Sequence, residues 1–218
     1  MKKRIIVILL LVVIVFSGCS KSQTIADTST KQNFIHRLEQ AEEIKVKEKW
    51  LSFEKSYDIY IDDVLVGNVS GEFIHITGDV FTLTDIDGKV ISTEKQIKRW
   101  GIKLNRLAEV RDEKENVVGY IGEDVISDFF TTLSKYKFHF YDANKNELAH
   151  SDEKLLKFLY EYCIYGNDDV PYYRIQENWS LVDEYTITKL NENSLPIDQV
   201  IFQTCIVDAI RDAEKEEN

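Results

Sequence analysis

Residues 197–218 read IDQVIFQTCIVDAIRDAEKEEN and follow Pro196, a residue that suits the first turn of a helix. Apolar side chains cover most of the circumference of this helix: Val200, Ile201, Phe202, Cys205, Ile206, Val207, Ala209 and Ile210. A helix that is apolar nearly all round must be surrounded by protein or lipid. Its apolar part, about eleven residues, is too short to span a bilayer. We therefore expect the helix to lie inside the protein, with Ile206 in the core; the alternative is a surface helix that docks on a partner or membrane.

The chain before this helix, from about Ile44 to Leu190, has the period-two apolar pattern of β-strands. Runs of alternating apolar residues mark the inner faces: Tyr57, Ile59 and Ile61; Tyr136, Phe138 and Phe140; Phe158, Tyr160, Tyr162 and Ile164; Tyr173 and Ile175. The only two prolines are Pro171 and Pro196, so little interrupts the strand pairing. The sequence predicts a mainly β (α+β) fold, a closed antiparallel barrel of about a dozen strands wrapped around the hydrophobic C-terminal helix.

Three predicted hairpins have related sequences: FTLTDIDGKVIS, LAEVRDEKENVVGYI and FHFYDANKNELAH. Each places an aspartate, Asp85, Asp112 or Asp142, where the first strand meets a polar turn. An aspartate at this point can accept backbone N–H groups within its own turn. The spacing of 27 and 30 residues between the aspartates indicates a loosely repeated hairpin architecture.

The N-terminus has the pattern of a secretory signal: Lys2, Lys3 and Arg4 precede an apolar run from Ile5 to Phe16. This run is shorter than the roughly 20 residues that a membrane-spanning helix needs. The following Phe16-Ser17-Gly18-Cys19 resembles the lipobox of bacterial lipoprotein precursors. That resemblance implies cleavage before Cys19, acylation of Cys19, and anchoring to the outer face of a membrane. The alternative is an ordinary secretory signal in which Cys19 is incidental.

These patterns divide the chain into three parts: residues 1–18, a lipoprotein signal peptide; 19–43, the lipidated cysteine, a flexible tether and a short helix; and 44–218, the barrel with its central helix. The helix is predicted over 34–43 from the spacing of its apolar residues. Removal of residues 1–18 takes away three basic residues and no acidic one, so the net charge of −11 becomes −14. Such a surface repels nucleic acid and anionic phospholipid headgroups.

The short strands, the aspartate turns and the terminal apolar helix together resemble the tubby C-terminal-like class, which includes tubby proteins, phospholipid scramblases and LURP-one-related proteins. The resemblance covers roughly Tyr57 to Ala213 and rests on FTLTDIDGKVIS, FHFYDANKNELAH and LPIDQVIFQTCIVDAI. It implies a closed antiparallel barrel with the last helix threaded through it. Tubby proteins bind phosphoinositides through basic residues, and the barrel hairpins of this acidic chain carry no basic cluster. The resemblance therefore implies binding rather than catalysis, without naming a ligand.

Two patterns bear on metal binding. From Asp142 to Glu153 the sequence approaches a calcium loop, but Glu147 stands where that loop needs glycine, so a polar hairpin tip is the preferred interpretation. The histidines, His36, His75, His139 and His150, have no metal-ligand spacing with one another or with a cysteine. We predict no metal and no cofactor.

The remaining candidates are cysteines and aromatic residues. Cys163 and Cys205 either form a disulfide or are separate core residues, and the second interpretation is preferred. Trp50, Trp100 and Trp179, with eleven tyrosines, either form a sugar- or peptide-binding surface or pack the barrel, and packing is again preferred. No nucleophile elbow or phosphate-binding glycine loop is present in the sequence, so no catalytic residue is predicted.

The sequence therefore predicts a lipid-anchored extracytoplasmic lipoprotein of the cell membrane. Its barrel is expected to be a non-enzymatic module that binds an envelope protein or an amphiphile. The alternative from another class is a hydrolase that acts on envelope material through the hairpin-tip carboxylates of Asp85, Asp112 and Asp142.

Overall fold

Alternating apolar residues give thirteen antiparallel β-strands within the part of the chain that the structure describes. The structure is a computed structural model that describes residues 32–50, 55–72, 80–97, 107–127, 134–152, 154–155 and 160–216. The chain divides into two units, Met1–His36 and Arg37–Asn218, and all the strands belong to the second. Residues 32–40 form helix α1, within a residue or two of the predicted start but ending three residues early. The predicted signal peptide and Cys19 lie outside the described residues.

The strands are numbered in chain order. Their bounds are β1 Glu43–Glu48, β2 Ser56–Ile61, β3 Val64–Glu72, β4 Val80–Asp85, β5 Val90–Ile97, β6 Leu107–Asp112, β7 Val117–Ser127, β8 Ser134–Asp142, β9 Glu147–Ser151, β10 Lys154–Leu155, β11 Glu161–Gly166, β12 Pro171–Asn178 and β13 Glu184–Lys189. The C-terminal helix α2 spans Ile197–Glu216.

Twelve of the described strands form a closed barrel, as the sequence predicts. From β8 each strand pairs with its predecessor back to β1, which pairs with β13; the order then continues through β12, β11 and β9. The pairing of β8 with β9 closes the ring. The two-residue β10 also pairs with β8, at Lys135 and Tyr136, closer to the start of β8 than the residues that pair with β9. A closed barrel leaves no exposed edge along this ring.

Most residues of the predicted inner faces in the described strands are buried, but Ile61 and Tyr136 are only partly buried. In β2, for example, Tyr57 and Ile59 are fully buried whereas Asp58 and Tyr60 face outward. Tyr160 is an exception, because it precedes β11 and is exposed instead of sharing the inner face of Tyr162.

Helix α2 lies inside the barrel. Six successive residues, Val200–Cys205, have no exposed surface, which requires protein on every side of the helix. Side chains of α2 bond to opposite parts of the wall, since Gln199 reaches the carbonyl of Tyr141 on β8 and Asp208 reaches Tyr57 on β2. The predicted central helix is therefore confirmed. The choice of Ile206 as a core residue is wrong, because Ile206 is partly exposed.

Gly119 on β7 lets the first turn of α2 approach the wall. A Cβ atom at this position would lie 2.7 Å from the carbonyl oxygen of Tyr141 and would collide with the side-chain amide of Gln199. Only glycine offers this space without moving the helix.

The two ends of the barrel differ. At one end, called the turn end, tight connections join the strands at residues 62–63, 86–89, 113–116, 143–146 and 167–170. Helix α2 enters the barrel at the turn end after residues 190–196 and runs to the opposite end, called the exit end. Among the described residues, no helix is long and apolar enough to cross a membrane.

Candidate functional site

A buried charged cluster lies at the exit end, where α2 leaves the barrel. Asp208 of α2 is 1% exposed and accepts hydrogen bonds from two inward-facing phenols. The Tyr57 hydroxyl lies 2.7 Å from Oδ2 and the Tyr185 hydroxyl 2.8 Å from Oδ1. Burial, followed by the nearby Asp208 charge, raises the pKa of both phenols above the ordinary value, so both remain donors.

Lys55 supplies the positive charge of this cluster. Its Nζ lies 2.8 Å from Asp208 Oδ2 and 2.8 Å from Glu48 Oε1, and it also bonds to Asp212. Burial by itself lowers the pKa of the Lys55 ammonium, but the Asp208 charge and the three carboxylate bonds outweigh burial and raise this pKa above its usual value. Lys55 therefore stays charged and uses its three N–H donors on three carboxylates.

Four carboxylates of the cluster lie as close together as the ligands of a bound cation. Ligand atoms of Glu48, Asp183, Asp208 and Asp212 all lie within 4.8 Å of one another. The Lys55 ammonium bonds to three of these four carboxylates, so a cation already occupies the centre of the group. The arrangement ties α2 to the ends of β1 and β2, and we interpret it as a structural ion cluster.

A second ion pair extends the cluster toward β12. Arg211 Nη1 of α2 lies 2.7 Å from Glu177 Oε2 and 3.2 Å from the Tyr185 hydroxyl. The Arg211 guanidinium also lies 5.3 Å from the ring centroid of Tyr160. The last turns of α2 thus contact the residues that lead into the connection between β12 and β13.

Large apolar side chains are exposed beside this cluster, at the exit end. Trp179 is fully exposed, Leu181 is 91% exposed, Trp50 is 71% exposed and Tyr160 is 53% exposed. We call these four residues the apolar rim. Exposed apolar surface gathered in one place on a protein marks interaction sites. The prediction that the tryptophans pack inside the barrel is wrong for Trp50 and Trp179, and Trp100 lies outside the described residues.

An open pocket of about 610 Å³ lies between Trp50 and the segment that carries Leu181. Trp50, Leu181, Val182 and Tyr60 supply its apolar lining, and its polar lining is Lys47, Glu48, Lys49, Asp58 and Ser180. Two of the lysines are paired, Lys47 with Glu184 at 3.2 Å and Lys49 with Asp58 at 2.9 Å. Glu48 belongs to both the pocket and the ion cluster, so the two adjoin.

The hairpin-tip aspartates are at the turn end, away from the rim. Oδ1 of each accepts backbone N–H groups two and four residues further on, at 2.8–3.0 Å: Asp85 from Asp87 and Lys89, Asp112 from Lys114 and Asn116, Asp142 from Asn144 and Asn146. In all three hairpins a β-bulge lies between the two residues directly before the aspartate. The predicted turn-capping role is therefore confirmed for all three.

These aspartates do not form a carboxylate pair. They end β4, β6 and β8, which are two strands apart around the barrel, or about 10 Å at the usual strand spacing. Asp142 uses its second oxygen on the Asn146 side chain, at 2.8 Å. Glu153, the last residue of the calcium-like pattern, lies outside the described residues.

The histidines of β8 and β9 are neighbours on the outer wall. The ring centroids of His139 and His150 lie 6.4 Å apart, in a row with Tyr141 and Tyr165. His139 Nδ1 is 2.7 Å from Glu147 Oε1. Asp142 bonds within its own turn instead of joining them. His36 is exposed, and His75 lies outside the described residues.

The two described cysteines, Cys163 and Cys205, are unpaired. Cys163 faces outward from β11, between the buried Tyr162 and Ile164, whereas Cys205 is fully buried in α2. The barrel wall separates the two thiols. The preferred interpretation of separate residues is confirmed, although only Cys205 belongs to the core.

Sequence reasoning did not identify the ion cluster or the rim. Asp208 was a usable signal, because a carboxylate in an apolar helix that lies inside a barrel needs a buried partner. Nothing in the sequence marks Lys55 as that partner among the 27 basic residues. Leu181 and Tyr160 carry no local signal that distinguishes them from residues in strands.

No protein-family model matches the chain, and no curated protein matches it. An X-ray structure of a protein from Arabidopsis thaliana is similar, with 11% identity and a TM-score of 0.33, covering 78% of this chain and 93% of that chain.

Proposed function

We propose that this chain is a bacterial lipoprotein, anchored through Cys19 to the outer face of a membrane, whose tubby-like barrel is a non-enzymatic binding module. The ligand is an envelope protein or an amphiphile, and it binds at the exit end. The observation that carries the proposal is the apolar rim, in which two tryptophans and a leucine are exposed together beside an open pocket. Aromatic residues are enriched among the residues that contribute most to binding at interfaces.

The organisation of the barrel supports binding over catalysis. The helix fills the interior, and the buried carboxylates of the exit end are bonded to Lys55 or to phenols. The hairpin-tip aspartates end strands that are two apart around the barrel, and each caps its own turn. This favours a structural role for them over the paired acid and base that the hydrolase alternative requires.

Site-specific photo-crosslinking in intact cells tests the binding surface. A photoreactive phenylalanine analogue replaces Trp179 in one variant and Ile86 in the other. Ile86 is a matched control, because it is apolar and 54% exposed but lies at the turn end. We expect discrete adducts from position 179 and none from position 86. Adducts of equal yield from both positions would contradict a binding surface at the exit end.

Metabolic labelling tests the anchor. The intact chain should incorporate a clickable fatty acid, and Cys19→Ala should abolish both the label and cleavage by the lipoprotein signal peptidase. Unchanged labelling of Cys19→Ala would refute the lipid anchor without bearing on the rim.

A further inference from the structure

We infer that the amphiphile recognised by the apolar rim is the lipid bilayer itself, so that the exit end of the barrel rests in the interface of the leaflet that holds the acylated Cys19. This inference rests on the proposed function and names the partner of the same surface. It makes the rim a second membrane contact, which fixes the orientation of the barrel on the membrane.

The first step is the difference between the two ends. The turn-end segments 62–63, 85–89, 112–116, 142–146 and 166–170 contain ten carboxylates and three lysines. That end cannot enter a bilayer interface without dehydrating many charges. At the exit end, the exposed side chains include Trp50, Trp179 and Leu181. Among the described residues, the exposed tryptophans are at the exit end, whereas the exposed apolar residues of the turn end, such as Val64 and Ile86, are aliphatic and lie next to aspartates.

The second step is the type of apolar residue. Tryptophan and tyrosine concentrate at membrane–water interfaces, because the ring enters the acyl region while its N–H or O–H stays near the headgroups. The rim contains two tryptophans, one tyrosine and one leucine, all presented by connections between strands. A surface that inserts about 5–10 Å needs side chains of this kind.

The third step is the charge around the rim. Lys47, Lys49 and Lys55 are all paired with carboxylates, at 3.2, 2.9 and 2.8 Å. The pairs allow the surface to approach lipid without exposing isolated ammonium groups to it. The acidic chain gains nothing from anionic headgroups, so we expect uncharged or zwitterionic lipid to be sufficient.

The fourth step is reach. Arg37–Glu42 lead into β1 at the turn end, where the carbonyl of Glu42 accepts the Lys189 N–H at 2.8 Å. The rim is thus one strand length from the point of entry, about 20 Å for the six residues of β1. Residues 19–31 number thirteen, and such a chain spans at most about 45 Å. Helix α1, with nine residues, adds at most about 14 Å to this distance. The extended tether still exceeds the sum, so it is long enough for the rim to reach the leaflet that anchors Cys19.

Fluorescence quenching in reconstituted vesicles tests the inference on the full chain. The protein is purified from membranes and reconstituted in phosphatidylcholine vesicles whose acyl chains are brominated near the headgroup. Trp50→Phe and Trp100→Phe leave Trp179 as the single tryptophan of the chain. The control chain adds Trp179→Phe and Ile86→Trp, which moves the tryptophan to the turn end.

Brominated lipid should remove most of the Trp179 emission, whereas iodide in the buffer should have little effect on it. The control tryptophan at position 86 should show the reverse. Replacing half of the phosphatidylcholine with phosphatidylglycerol should not strengthen the Trp179 quenching.

Two outcomes would overturn the inference. Emission of Trp179 that is insensitive to bromine but quenched by iodide would place the rim in water. Shielding from iodide in native membranes, combined with full accessibility in lipid vesicles, would assign the rim to a protein partner. Mass spectrometry of the Cys19 peptide from the same sample reports the anchor independently. An acylated chain without bromine quenching refutes docking alone, and an unacylated chain whose Trp179 is quenched refutes the anchor alone.

Discussion

Replacing Lys55 with methionine tests whether the ion cluster at the exit end is a buried, desolvated pair. The substitution keeps most of the side-chain length but removes the ammonium that bonds to Asp208, Glu48 and Asp212. Asp208, 1% exposed, would then keep its two phenol donors but lose its counter-charge. We expect Lys55→Met to lower the free energy of unfolding.

The size of this loss follows from the burial of the two partners. Breaking a buried ion pair by removing one member costs about 3–5 kcal/mol. The Lys55 side chain is 14% exposed, and Tyr57 and Tyr185 still solvate Asp208, so the lower end of that range applies. We expect a loss of about 3 kcal/mol, a large part of the roughly 5–15 kcal/mol that stabilises a typical domain.

Lys49→Met is the matched control. Lys49 pairs with Asp58 at 2.9 Å, nearly the Lys55–Asp208 distance, but the two side chains are 39% and 23% exposed. Surface pairs of this kind contribute less than about 1 kcal/mol. Urea denaturation of residues 20–218, followed by far-UV circular dichroism, gives both values. Adding Asp208→Asn to Lys55→Met should restore part of the loss, because the most buried carboxylate of the cluster is then uncharged. Equal losses for Lys55→Met and Lys49→Met would refute the buried pair.

Two further predictions concern the same core. Burial and Asp208 raise the pKa of Tyr57 and Tyr185, and the carboxylates raise the pKa of Lys55. The three protonated groups therefore stabilise the fold fully below about pH 10, and this stabilisation is lost as the pH rises further. Urea denaturation between pH 8 and 11 should show this loss of stability, and Tyr185→Phe should make the loss smaller. A urea midpoint that does not change with pH would contradict the buried, protonated state of these groups. Ile201→Ala should cost about 2–5 kcal/mol because Ile201 is fully buried, and Ile206→Ala should cost clearly less because Ile206 is partly exposed. The reverse order in denaturation measurements would contradict the observed rotation of α2.

The barrel and its central helix were predictable because both depend on patterns within short stretches. Alternation in β2 or β8 identifies an inner face, and an apolar helix in a β-rich chain has few places to lie other than inside the barrel. The aspartate turns were predictable for the same reason, since the contacts of Asp112 reach only four residues along the chain. Rotation of the helix is different, and Ile206 shows why. When a helix is apolar all round, its sequence has no periodic pattern that shows which side is most tightly packed against the barrel wall.

The exit end was not predictable because its contacts are distant in sequence. Lys55 and Asp208 are 153 residues apart, and many other pairs of opposite charge in this chain are equally compatible with the sequence. For the exposed tryptophans the sequence favours packing, because aromatic residues in a β-rich chain usually lie in strands. Their exposure depends on strand ends: β1 stops at Glu48 and β12 at Asn178, one or two residues before each tryptophan. Strand ends are the least reliable part of such a prediction.

The polar residues of α2 connect the packing of the core to the rim. Gln199 bonds near the turn end to the carbonyl of Tyr141, Gln203 accepts the hydroxyl of Tyr162 at 2.9 Å, and Asp208 accepts two phenols at the exit end. Apolar contacts alone would let a helix that is apolar all round rotate or slide within the barrel. These directional bonds, made at three heights, select one rotation and one axial position. That position brings Arg211 to Glu177 and Asp208 to Lys55, and so holds in place the strand ends that present Trp179 and Trp50. A change that shifts α2 should therefore disturb the rim even where the barrel itself stays folded.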